Sequence, residues 1–124
     1  ERMFNVIEIF FLNRFYMSWV YLLLASAFEV GFTFCISKAK IVAAPQSTYW
    51  YIAFGVCLVL GMGLLVKATQ TIPMGTAYAI FTGIGAAGTV LLGIIVFKEP
   101  ANLMRIFFIV TLIASVVGLK AVSH

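Results

Sequence analysis

One carboxylate stands out in a chain of 124 residues. Glu29 is the only charged residue in the apolar stretch Trp19–Ile36, which is long enough to cross a bilayer. A charge at that depth costs several kcal/mol on the lower scales, so it must face a partner, a water-filled cavity or a proton. Desolvation favours the neutral, protonated form of a carboxyl group, and a nearby cation favours the ionised form. A proton and a cationic solute can therefore compete for Glu29. The bland alternative is a carboxylate that merely hydrogen-bonds to a neighbouring helix. Ser26 and Thr33 lie three and four residues away and share the Glu29 face of a helix. Tyr78 can offer a hydroxyl to the carboxylate, and Phe32 and Phe81 can offer aromatic faces to a cation.

Other chemistries find little support. No second carboxylate lies inside an apolar span, and Glu99 reads as a solvated loop charge beside Lys98. Paired-carboxylate chemistry would therefore need a second copy of Glu29 from another subunit. Cys35 and Cys57 read as small buried side chains without Cys or His at metal-ligand spacing. His124 stands alone at the end of the sequence. No nucleophile–base pair supports an enzyme, and no metal or cofactor is implied. The string Gly83-Ile84-Gly85-Ala86-Ala87-Gly88 fits the dinucleotide fingerprint, but no strand precedes it and no acidic residue follows at the required distance. Inside an uncharged span, Gly83, Gly85 and Gly88 read as close helix packing or a helix bend.

The elements that must position Glu29 follow from hydropathy. With 64% hydrophobic and 10% charged residues, against about 25% charged in soluble domains, the chain is a membrane protein with almost no extramembrane mass. The length allows four spans, placed at about 17–37, 49–66, 74–97 and 103–122. The fold expected is all-α, a four-helix transmembrane bundle too small to enclose much alone, and hence an oligomer. Leu22-Leu23-Leu24 is assigned to lipid. Tyr49, Trp50 and Tyr51 read as an interfacial belt. The third span carries a small residue at every fourth position, Gly75, Ala79, Gly83 and Ala87, with Tyr78, Thr82, Gly85 and Thr89 beside it. Thr111, Ser115 and Gly118 make a packing face on the fourth. Residues 1–16 mix polar and apolar side chains, with Glu1, Asn5 and Glu8 near one face. They fit an interfacial helix or a leader upstream of a start at Met17, so residues 17–124 are taken as the domain.

Four spans put both termini and the Lys67 loop on one side of the membrane. Arg2, Arg14, Lys67 and Lys120 on that side balance Lys38, Lys40, Lys98 and Arg105 on the other. This balance allows insertion in both orientations and an antiparallel homodimer. If residues 1–16 are discounted, the two loops carry the excess. One fixed orientation then calls for a partner of opposite bias. With no Lys/Arg run, nucleic acid is not an expected partner.

From Met17 to His124 the sequence resembles the small multidrug resistance transporters. The residues carrying this are Ala27-Phe28-Glu29-Val30, the third-span string Ile72-Pro73-Met74-Gly75-Thr76-Ala77-Tyr78-Ala79-Ile80-Phe81-Thr82-Gly83-Ile84-Gly85, and Gly118-Leu119-Lys120. The resemblance implies an antiparallel dimer in the bacterial inner membrane, with Glu29 of both subunits forming one shared site and Tyr78 bonding the glutamate. Thr82-Gly83-Ile84-Gly85 and the terminal Gly-Leu-Lys look like the guanidinium-exporter branch. Phe81 and Phe32 stand where that branch usually has Trp, and Gly61 where a site serine is common. Phe81 with the run from Gly85 to Leu91 looks more like members built from two paired subunits. The expected function is proton-coupled export of small organic cations, guanidinium-like or quaternary ammonium. The rival is a non-transporting membrane subunit or assembly partner of a paired complex. Fewer hydrogen-bond donors around Glu29 should suit greasier cations than guanidinium.

Overall fold

A computed structural model describes residues 2–123; Glu1 and His124 lie outside the described residues. Four helices follow one another: α1 (Arg2–Ile41), α2 (Gln46–Ala68), α3 (Met74–Ile95) and α4 (Leu103–Val122). Each is long and apolar enough to cross a membrane. The fold class and the four spans are as the hydropathy requires.

The helix ends are set by local chemistry. Pro73 supplies a fixed φ just ahead of α3. Asn102 caps α4, its side-chain oxygen accepting from the Arg105 backbone N–H at 2.8 Å. After α3 the chain turns back on itself. Lys98 takes φ 55°, and the Glu99 N–H donates to the Gly93 carbonyl at 3.0 Å. This reversal carries the Glu99 carboxylate onto Arg105, whose Nη2 lies 2.6 Å away. Glu99 is a solvated loop charge, as its place beside Lys98 indicates, and also half of an exposed ion pair that clasps the α3–α4 connection.

The core lies toward the α2–α3 connection. It joins Trp19, Leu22 and Ala25 of α1, Leu65 and Ala68 of α2, Ile72, and Ala77, Ile80 and Phe81 of α3. Leu22 is fully buried while Leu23 and Leu24 stay exposed, which corrects the assignment of all three to lipid. The reason is a 100° step per residue, which turns Leu22 onto the Ala25–Ser26 face. Thr71 ties the same connection to α1 by donating its hydroxyl to Ser18.

α4 packs on α3, with Val116 set against Gly83. No α4 residue is fully buried. Thr111 and Ser115 return their hydroxyls to the carbonyls of Phe107 and Thr111 in the same helix, at 2.9 and 3.0 Å. The packing face expected at Thr111, Ser115 and Gly118 is exposed and has no partner helix among the described residues.

Residues 2–16 continue α1 without a break, giving a helix of 40 residues. At 1.5 Å per residue that is about 60 Å, twice a hydrocarbon core of about 30 Å. Lysine ammoniums rest over aromatic rings near the span ends: Lys38 on Phe34, Lys67 on Tyr21 and Lys120 on Trp19, at 5.9, 5.4 and 5.3 Å from the ring centres. Apolar stems lie along the bundle while the charges stay near water, as snorkelling requires.

Candidate functional site: the Glu29 seam

α1 and α3 approach closely where α3 has no side chains. A Cβ added at Gly85 would overlap the Glu29 carboxyl group, and one at Gly88 would meet Val30 Cγ2 at 2.5 Å. Glycine at 85 therefore lets the carboxyl group lie directly against the α3 backbone. Gly83 faces the other way, toward Val116 of α4. α3 runs as one helix through all three glycines, so each serves close packing: Gly85 and Gly88 toward α1, Gly83 toward α4.

The carboxyl group itself is poorly satisfied. Glu29 Oε2 is buried and has no hydrogen-bond partner among the described residues. Among the described residues no cation pairs with it, and the one ion pair is Arg105–Glu99. A buried acceptor left unmatched is costly, and such atoms concentrate where a second species binds.

Thr33 and Thr89 lie one turn beyond Glu29 and Gly85. Their hydroxyl oxygens are 2.8 Å apart, an interhelical hydrogen bond. Thr33 donates its hydroxyl to the Val30 carbonyl at 2.8 Å, which leaves Thr89 as the donor to Thr33. The spacing placed Thr33 on the Glu29 face and Thr89 in the Gly85 stripe, but not the bond between them; facing polar stripes on two spans were the available signal. Thr33→Val is expected to cost about 0.6 kcal/mol, the mean for interhelical hydrogen bonds in membranes. Paired with Thr89→Val in a double-mutant cycle of unfolding in detergent, it should show non-additive losses.

The remaining candidates divide between seams. Ser26 is fully buried one turn before Glu29, and its hydroxyl donates to the Leu22 carbonyl at 2.9 Å. Phe81, one turn before Gly85, is 2% exposed within the core, so its ring is packed by its own chain. Its ring centre lies 6.1 Å from that of Tyr78. Tyr78 is half exposed, and its hydroxyl makes no hydrogen bond to Glu29 within the chain. Gly61 and Phe32 belong to the α1–α2 seam instead. A Cβ at Gly61 would come 3.1 Å from Phe28 Cβ, and Phe32 meets Phe54 edge-on at 5.7 Å. Cys57 also faces this seam, its Sγ 3.6 Å from where a Gly31 Cβ would lie, one turn from Cys35. The single chain thus brings Glu29, Gly85, Thr33 and Thr89 together, while Phe32 and Gly61 pack in the α1–α2 seam and Tyr78 makes no hydrogen bond to the carboxylate among the described residues.

Comparison with known proteins agrees with this architecture. A family profile described as Small Multidrug Resistance protein matches residues 17–112. A probable guanidinium efflux system subunit GdnC of Bacillus licheniformis is 38% identical over 108 residues, covering 87% of this chain and 94% of the relative. A probable guanidinium efflux system subunit GdnD of Bacillus subtilis is 39% identical over 107 residues, 86% of this chain and 99% of the relative. A guanidinium exporter of Proteus vulgaris is 35% identical over 117 residues, 86% of this chain and 100% of the relative.

Proposed function

For a chain that belongs to the Small Multidrug Resistance protein family, and so is a multi-pass transporter of the bacterial inner membrane, we propose proton-coupled export of small organic cations through Glu29. The observation that carries this reading is the buried, unpartnered Oε2 of Glu29 held against Gly85. A carboxyl group in that setting accepts either a proton or a cation. The two exclude each other, so movement of one is exchanged for movement of the other.

The proposed working unit is an antiparallel dimer in which two Glu29 carboxylates, one per subunit, form one site. The exposed face of α4 and the half-exposed Tyr78 are surfaces on which a second subunit would pack and donate. Two relatives are named as subunits of efflux systems, which favours pairing with a paralogous subunit over self-pairing. The cargo proposed is guanidinium-like, by analogy with the named relatives. Glu29 Oε2 meets no hydrogen-bond donor among the described residues, which extends the range toward alkylated and quaternary ammonium cations. Purified protein in liposomes, alone and with a paralogous subunit, would test this. An imposed pH gradient should drive both guanidinium and a small quaternary ammonium ion uphill. Failure of both combinations to move any cation would overturn the reading and leave an assembly role.

Tyr78→Phe separates site from scaffold. The hydroxyl is at an exposed position, so its loss should change unfolding in detergent by well under about 1 kcal/mol, while proton–cation coupling is impaired. A misfolded Tyr78→Phe protein would make this residue structural.

A further inference from the structure

A second feature lies away from Glu29, at the opposite end of α1 from the Glu99–Arg105 clasp. A cavity of about 480 Å³ opens between the early part of α1 and the end of α2. Its lining includes Arg14 and Lys67, the carboxamides of Asn13 and Gln70, and the apolar side chains of Phe10 and Met17. No acidic residue lines it, and neither cation is ion-paired among the described residues. Glu8, the carboxylate closest in sequence, is six residues from Arg14 and so falls on another face of the helix.

Depth identifies the surroundings. Lys67 occupies the last turn of α2, and its ammonium lies over the Tyr21 ring. Trp19, on the same stretch of α1, carries Lys120 in the same way. Aromatic rings and lysines at one level mark the boundary between hydrocarbon and headgroups. Met17, between Arg14 and that level, is exposed beside the cavity, so an apolar chain can continue from it toward the hydrocarbon.

We propose that this cavity binds the phosphodiester headgroup of an anionic phospholipid, with Arg14 and Lys67 holding the phosphate. A guanidinium, an ammonium and two carboxamides supply the several donors that a phosphate oxygen set accepts. Two positive charges with no acid nearby repel the ammonium of a zwitterionic headgroup and accept one that lacks it. Basic pockets between transmembrane helices recognise anionic lipids by this balance.

The test is thermal unfolding of the purified full chain in detergent, titrated with phosphatidylglycerol, with phosphatidylcholine of the same acyl chains, or with inorganic phosphate. Phosphatidylglycerol should stabilise at concentrations where the other two do not. Arg14→Gln and Lys67→Gln should each weaken its apparent affinity about fivefold. Arg14→Lys and Lys67→Arg keep the charge and should retain the preference. Equal stabilisation by phosphatidylcholine would overturn the charge argument. Equal stabilisation by inorganic phosphate would replace the lipid with a free anion. An undiminished response in the Arg14→Gln/Lys67→Gln protein would remove the site from this cavity.

Discussion

Glu29→Gln is expected to abolish cation-linked proton release and to weaken cation binding at least tenfold. The substitution keeps the shape and a carbonyl oxygen at the α1–α3 seam while removing the one carboxylate inside the spans. Hydrogen bonds to charged groups contribute about 1.5–3 kcal/mol, which is roughly ten- to a hundredfold in affinity. The amide cannot lose a proton, so release should fall to nothing whatever binding remains. Folding should survive, because an uncharged amide is easier to bury than an ionised carboxylate. Calorimetric titration with guanidinium in two buffers of different ionisation enthalpy reads both quantities. Unchanged affinity with unchanged proton release in Glu29→Gln would place the chemistry elsewhere.

Gly85→Ala is the second large effect. The added methyl would occupy the space of the Glu29 carboxyl group, so α1 and α3 must separate or the carboxyl must turn away. Overpacking of this kind costs about 1–3 kcal/mol. Because the clash falls on the carboxylate, cation binding should fall along with stability. Gly88→Ala makes a clean comparison: its methyl meets Val30 and not Glu29, so stability should drop with less effect on binding. Gly75→Ala is the opposite control. Nothing lies within 4 Å of a Cβ there, and exchanging glycine for alanine in a helix gains up to about 1 kcal/mol. Unfolding in detergent and guanidinium binding, measured on the three variants, should rank them in this order. A Gly85→Ala protein that matches Gly75→Ala in both would contradict the packing described at Glu29.

Much of this was legible in the sequence because hydropathy is a local property. The uncharged runs marked three of the four spans to within three residues at either end, and Glu29 was conspicuous as a lone charge. What periodicity could not supply was rotation. Leu22 and its two neighbours read alike, yet only the azimuth of α1 against α2 and α3 buries the first and exposes the others. Gly85 was visible as one small residue among several. That it faces Glu29 while Gly83 faces α4 depends on how three helices are set around α3. The Glu99–Arg105 pair needed the chain reversal at Lys98, a turn that lysine does not announce. The start of α1 at Arg2 was hidden because residues 2–16 mix polar and apolar types and yet carry no glycine or proline to stop a helix. Tyr78 and the exposed face of α4 stay without a packing partner among the described residues, and in the proposed dimer a second subunit would cover them.

The most direct test of the competition between proton and cation at Glu29 is the pH dependence of cation binding by the purified protein. If each bound guanidinium displaces a proton, its apparent affinity falls as pH is lowered, approaching about tenfold per pH unit for each proton displaced. The same titration in weakly buffered solution should release protons on addition of guanidinium. Binding that is measurable, unaffected by pH across the range where a carboxyl group in this seam titrates, and unaccompanied by proton release would contradict the account.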